Sequence, residues 1–165
     1  MGGRSSWSRS AQTKPSQERE CEMRFDLVTQ ASPEQVLEAM TDFTDRRLKI
    51  WKTLDPKIYE VRARGDTWAV AREGSPHSPY WVIVRYDWSD PRVIRWTELE
   101  TNHGDPGVGF MRIEPRGAGG SQLHVEWSTH PVRIRDKLAI FLLHHTMNRA
   151  IARMWRKELD RFALA

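Results

Sequence analysis

The sequence predicts an α+β protein in which a seven-stranded, curved antiparallel sheet wraps one long C-terminal helix, with two short helices after the first strand. Three observations predict it. Residues 57–130 break into alternating apolar and polar segments separated by turn signals. From Ile134 to Phe162 nothing interrupts an apolar repeat of three and four residues. Between the first strand and the meander stands "ASPEQVLEAM", which carries the chemistry of a helix start.

The elements follow in chain order. Residues 1–22 are rich in Ser, Gln, Arg and Glu with almost nothing to bury, so a disordered leader is expected, with Cys21 inside it. "MGGRSS" formally matches an N-myristoylation pattern, as so short a pattern often does by chance, and Met23 is a second candidate start. The folded domain is expected over 23–164. "MRFDLVTQA" alternates, with Phe25, Leu27 and Thr29 on one side of a half-buried strand. Ser32 is then a good N-cap, Pro33 occupies the first helical position, and Gln35 completes a capping box. Val36, Leu37 and Met40 give this helix its apolar face, and 42–52 supports a second short helix carrying Leu48 and Trp51.

Strands are expected near 57–64, 67–73, 80–88, 92–100, 108–114 and 121–130, punctuated by "RGD", "GSPHSP", "SDP", "HGDPG" and "RGAGG". Connections this short make neighbours antiparallel. Leu123, Val125 and Trp127 alternate against His124, Glu126 and Ser128, and Val82, Val84, Tyr86 and Trp88 form a similar row. Inward parity stays open at 92–100 and 108–114, so either Arg95 or Trp96, and either Met111 or Arg112, looks inside. The final helix, about 29 residues and about 43 Å long, is the only long amphipathic element able to cover the apolar face of such a sheet.

Composition bounds the function. With 165 residues, 39% hydrophobic and 29% charged, the chain builds one core. One cysteine rules out an internal disulfide and a two-cysteine metal site. No apolar run reaches the roughly 18 residues of a membrane span, and the leader lacks a secretory apolar stretch, so a cytoplasmic protein is expected. No phosphate loop, serine elbow or H-E-x-x-H appears. His144 and His145 stand about 100° apart on a helix and cannot hold one metal alone. Neither a metal nor another cofactor is called for.

Strand, two short helices, six strands and a long helix, with "SPEQVLEAMTDF", "KIWKTLDPKIYEVRARGDTW" and "YDWSDPRVIRWTEL" in those places, resemble the START-like (SRPBCC) superfamily. That superfamily includes polyketide cyclase/dehydrase proteins and lipid-transfer domains of helix-grip fold. The resemblance covers about 23–164 and contains no catalytic signature. It implies that the sheet and the long helix leave a cavity between them, plugged at one end by the short helices. The expected lining is Trp51, Trp68, Val82, Val84, Tyr86, Trp96, Val125, Trp127, Met147, Ile151 and Trp155, with Glu98, Arg112 and His145 as polar groups that burial would perturb. Trp51 either closes over a guest or only packs the helix pair onto the core.

Binding or transport of a small hydrophobic ligand (a lipid, polyketide or isoprenoid-like molecule), without chemistry, is the leading functional expectation. An enzyme of the cyclase, aromatase or dehydratase kind, working through a buried acid or base, is the alternative. The formal net charge of +4 and the helix face carrying Arg149, Arg153 and Arg156 suggest a third reading, contact with a membrane surface or a macromolecular partner. Aromatic residues are not interleaved among those arginines, which points away from nucleic acid. Oligomeric state is left open.

Overall fold

The structure, a computed structural model, describes residues 21–130 and 134–165, with backbone alone at 21, 22, 118, 129, 130 and 134–147. The elements run β1 (Cys21–Thr29), α1 (Pro33–Thr41), α2 (Arg47–Ile50), β2 (Glu60–Arg64), β3 (Trp68–Gly74), β4 (Trp81–Asp90), β5 (Val93–Thr101), β6 (Asp105–Arg116), a 3-10 turn (Gly117–Gly119), β7 (Gly120–His130) and α3 (Ile134–Ala163). All seven strands form one antiparallel sheet in the order β1-β7-β6-β5-β4-β3-β2. Because β1 and β2 are its two edges, α1 and α2 carry the chain from one edge to the other. Strand β1 begins at Cys21, so that residue belongs to the sheet and not to the leader, whose remainder, 1–20, lies outside the described residues.

Helix α1 starts as its sequence requires. The Ser32 Oγ accepts from the Gln35 N–H at 3.3 Å, and the Gln35 Oε1 accepts from the Ser32 N–H at 3.0 Å. Val36, Ala39 and Met40 are its buried face. The second helix is only Arg47–Ile50, shorter than the 42–52 expected. Its missing first turn is taken by Asp42, whose Oδ1 accepts from the Thr44 N–H and hydroxyl, a local bond that competes with helix.

The inner face of the sheet is set by alternation, broken on β4 where a register shift leaves the adjacent Ile83 and Val84 both buried. Phe25 and Leu27 on β1, Leu123 and Val125 on β7, Met111 and Ile113 on β6, Ile94 and Trp96 on β5, Tyr86 and Val84 on β4, and Ala69 and Ala71 on β3 are all buried. This settles the open parities: Trp96 and Met111 look in, Arg95 and Arg112 look out. α3, at about 45 Å long, lies against β1 and both short helices. Leu159 is fully buried, Trp155 meets the Phe25 ring edge-on at 5.7 Å, and Asp160 Oδ1 accepts from the Thr29 hydroxyl (2.6 Å) and the Gln30 N–H (2.8 Å). Among the described residues no helix is long and apolar enough to cross a membrane.

The β1–β7 pair is also tied on its outer side. His124 Nδ1 sits 2.7 Å from Asp26 Oδ1 and Nε2 sits 2.9 Å from Glu126 Oε1, while Arg24 reaches the same Glu126 oxygen at 2.6 Å. Only the imidazolium donates from both ring nitrogens, so the hydrogen bonds to Glu126 and Asp26 hold the His124 pKa above its ordinary 6.5. A pKa raised on folding stabilises fully below the unfolded value and fades as pH rises through the folded one. Thermal melts should therefore give a higher Tm at about pH 6 than at about pH 8.5, a difference that shrinks in His124→Gln; an unchanged difference contradicts the assignment.

Candidate functional site

Between the sheet, α2 and α3 the chain leaves a cavity of about 130 Å³. Val82, Val84 and Tyr86 from β4, Trp96 from β5, Trp127 from β7 and Glu73 from β3 form its sheet wall. Met40, Arg47 and Trp51 come from the helix pair, Thr53 and Leu54 from the loop behind it, and Trp155 from α3. Thr53 and Leu54 are half-buried, so the loop that bears them also reaches the surface.

The indoles are held in two edge-to-face pairs. Trp96 and Trp127 meet at 6.2 Å and 89°, and Trp51 and Trp155 at 5.7 Å and 65°. Gly109 makes the first pair feasible: it lies opposite Trp96 on one side and Trp127 on the other. A Cβ there would come within 2.5 Å of the Trp96 ring, so only glycine lets that indole lie flat across β6. Two of the four indole N–H groups are satisfied in the wall itself. Trp51 donates to the Ala39 carbonyl at 2.8 Å, and Trp127 donates to Glu98 Oε1 at 3.2 Å.

Across from the indoles stands a buried polar cluster. The Arg47 side chain donates through Nε (3.0 Å) and Nη2 (2.8 Å) to Glu73 Oε1, and through Nη1 to the Met40 carbonyl (2.9 Å). Its guanidinium lies 4.1 Å from the Phe43 ring centroid. Glu73 Oε2 accepts from the Tyr86 hydroxyl at 2.7 Å. Burial works against the charge on Arg47, but adjacent Glu73, with Tyr86 and Tyr59, together more than offset it and raise the guanidinium pKa. For Tyr86, burial and then the Glu73 charge push the phenol well above its ordinary value. Tyr59 packs nearby with a buried hydroxyl that has no hydrogen-bond partner among the described residues, and burial pushes its pKa up to about 12.

Seven of the expected residues thus come together around the cavity: Trp51, Val82, Val84, Tyr86, Trp96, Trp127 and Trp155. Val125 is buried in the core and Ile151 packs on it, neither lining the space. Trp68 is a correction. Because Ala69 and Ala71 take the inner positions of β3, Trp68 faces outward, stacked under Arg85 at 4.6 Å. Arg112 is exposed on the outer face for the same reason of parity. Glu98 is buried, accepting also from the Gly107 N–H at 2.8 Å. The side chains of His145 and Met147 lie outside the described residues. Arg149, Arg153 and Arg156 are exposed on α3, the last paired with Asp160 at 3.3 Å.

Sequence reasoning missed Arg47 and Glu73. Arg47 is embedded in "TDRRLKI", which reads as a solvated face. The usable signal was on β3, where Ala69-x-Ala71-x-Glu73 puts a carboxylate on the inner face at the end of a row of small side chains. Among the described residues no group of His, Cys, Asp and Glu could hold a metal ion.

Residues 4–165 match the family described as polyketide cyclase / dehydrase and lipid transport. The chain belongs to that family. Its fold is the START-like helix-grip fold, shared with an aromatase/cyclase from Streptomyces sp. R1128 (18% identity, TM-score 0.68, covering 85% of this chain and 93% of that one). A START superfamily protein from Mycobacterium smegmatis is 16% identical (TM-score 0.62, 85% and 97% covered). Norcoclaurine synthase from Thalictrum flavum, in complex with dopamine and hydroxybenzaldehyde, is 12% identical (TM-score 0.65, 87% and 86% covered). At these identities the likeness speaks to fold alone. No curated protein matches the chain.

The ion pair is open to a direct test. Removing one partner leaves the other buried and uncompensated, so Glu73→Leu should lower stability in urea by about 3–5 kcal/mol. Arg47→Met/Glu73→Leu should recover most of that loss. Additive losses would mean that the two side chains do not act as a pair.

Proposed function

We propose that the protein binds a small, flat, largely apolar molecule carrying one hydrogen-bond acceptor, and holds it between the four indoles and Arg47. The carrying observation is the cavity itself: an apolar space with polar groups converging at one side, the usual make-up of a small-molecule site. Of the five guanidinium N–H groups of Arg47, three are engaged by Glu73 and Met40. One on each Nη remains to donate to a carbonyl or similar oxygen. Tyr86, its hydroxyl donating to Glu73, offers a lone pair beside them.

Size refines the guest. Pockets for drug-sized ligands run to about 300–1,000 Å³, whereas a cavity of about 150 Å³ accommodates benzene. The 130 Å³ here therefore suits a single ring; a longer ligand requires the 51–54 loop to yield. Family membership supports a hydrophobic ligand in this space.

Catalysis of the cyclase or dehydratase kind is the second reading, favoured by one observation: three ionisable side chains meet in the wall. Their bonding weighs toward binding. Both Glu73 oxygens are already engaged as acceptors, and burial keeps Tyr86 protonated, so the phenol is not poised to give up its proton near neutral pH.

Two nearly isosteric probes test the proposal by tryptophan emission. Acetophenone, which presents a carbonyl, and α-methylstyrene, which does not, should both quench or shift the emission. Acetophenone should bind about tenfold tighter, reflecting a hydrogen bond to a charged donor. Val82→Phe, which places a ring in the space, should abolish both responses while the chain still unfolds cooperatively. No response to either probe at millimolar concentration, or wild-type binding by Val82→Phe, would overturn the proposal.

A further inference from the structure

The outer face of the sheet carries a feature unconnected with the cavity. On β3 to β6 the inward positions are Ala71, Tyr86, Ile94 and Trp96, and Met111 and Ile113, so Arg72, Arg85, Arg95 and Arg112 all project outward. Their registers align them. Val70 pairs with Arg85 and Arg72 lies two residues on; Arg85 pairs with Thr97 and Arg95 lies two residues away; Arg95 pairs with Phe110 and Arg112 lies two residues beyond. Each arginine is thus one strand across and two residues along from the last, always in the same sense. The four form a straight diagonal with steps of about 8 Å and a span of about 24 Å.

Among the described residues none of the four is in an ion pair, and the buried Arg72 Nε has no hydrogen-bond partner. Two carboxylates stand near the line: Asp87, opposite Arg95, feels the charges of Arg85 and Arg95 while its Oδ1 accepts from the Ser89 N–H and hydroxyl, and Glu126 feels Arg112, yet neither is within ion-pair distance of the four. Aromatic rings back the line: Arg72 lies over Trp81 at 4.4 Å, Arg85 over Trp68 at 4.6 Å, and Arg112 6.0 Å from Phe110. Stacking of this kind fixes a guanidinium plane while leaving its N–H edge free.

We propose that this diagonal is a docking track for a single-stranded nucleic acid. Charge complementarity carries the choice. A row of evenly spaced guanidiniums, none closed into a salt bridge, matches a linear polyanion, and guanidinium planes and ring edges between them offer stacking to unpaired bases. An anionic membrane fits less well, since Leu99 and Val108 are the only large apolar side chains on the sheet that are mostly exposed among the described residues. The α3 arginines have no exposed aromatic residue among them; interleaved arginines and aromatics occur on the strands, where they become neighbours only through register.

The test is fluorescence anisotropy of a fluorescein-labelled oligo(dT) of about 12 nucleotides with the full chain. Binding should be measurable at about 50 mM salt, and log K should fall against log salt with a slope of about −3, for four phosphates on a single strand. Arg85→Gln/Arg95→Gln should weaken binding at least about tenfold and reduce the slope by about half. Arg149→Gln/Arg153→Gln on α3 should leave both unchanged. Absence of binding at low salt, an unchanged affinity in the sheet variant, or loss only in the α3 variant would overturn the proposal. Capture by phosphatidylserine vesicles without capture of the oligonucleotide would overturn it in favour of a lipid surface.

Discussion

A guanidinium keeps its charge even when only 3% exposed, so burying it is tolerated only with a carboxylate to compensate, and the Arg47–Glu73 bond is the constraint on which the rest of this structure depends. Helix α2 has four residues and no side-chain cap, far too little to be stable alone. It is held because Arg47 reaches from it into the sheet, and because the Arg161 guanidinium on α3 donates to the carbonyls of Ile50 (2.7 Å) and Lys49 (3.3 Å). With α2 fixed, Trp51 at its C-terminal end is fixed too, its indole bonded back to α1. One charged pair therefore joins the helices, the sheet and the wall of the cavity.

The same pair explains why the space beside it does not collapse. Apolar side chains alone would tend to close such a gap, since voids forfeit contacts on one side. Here the neighbours are rigid. The indoles are locked edge to face, Trp96 lies flat over Gly109, and the Arg47–Glu73–Tyr86 cluster cannot move inward without breaking its hydrogen bonds. Rigidity of these walls leaves room for a ring, with the Arg47–Glu73–Tyr86 cluster at one side and the 53–54 loop at the mouth.

Most of the fold was legible in the sequence because it rests on local periodicity. The capping box at Ser32, the period-two strands and the apolar repeat of the last helix each act over a few residues, and each appears where it was read. What could not be read depends on register. Trp68 and Arg112 carry the right chemistry for a cavity, yet their neighbours Ala69 and Met111 claim the inner positions. Arg47 and Glu73 are 26 residues apart, and no local pattern says that they meet. The arginine diagonal is hidden in the same way, spread over four strands and visible only once the pairings are known.

Two faces of one sheet thus take opposite roles: the inner one encloses an apolar space beside the neutralised Arg47–Glu73 pair, and the outer one displays a diagonal of arginines that no salt bridge closes. The account turns on the inner space being real. Its most direct measurement is the anomalous scattering of crystals grown with bromobenzene. A bromine peak enclosed by Trp51, Trp96, Trp127 and Trp155 is predicted, with the Arg47–Glu73 bond intact. A structure in which those four indoles close on one another, leaving no anomalous peak among them, would contradict it.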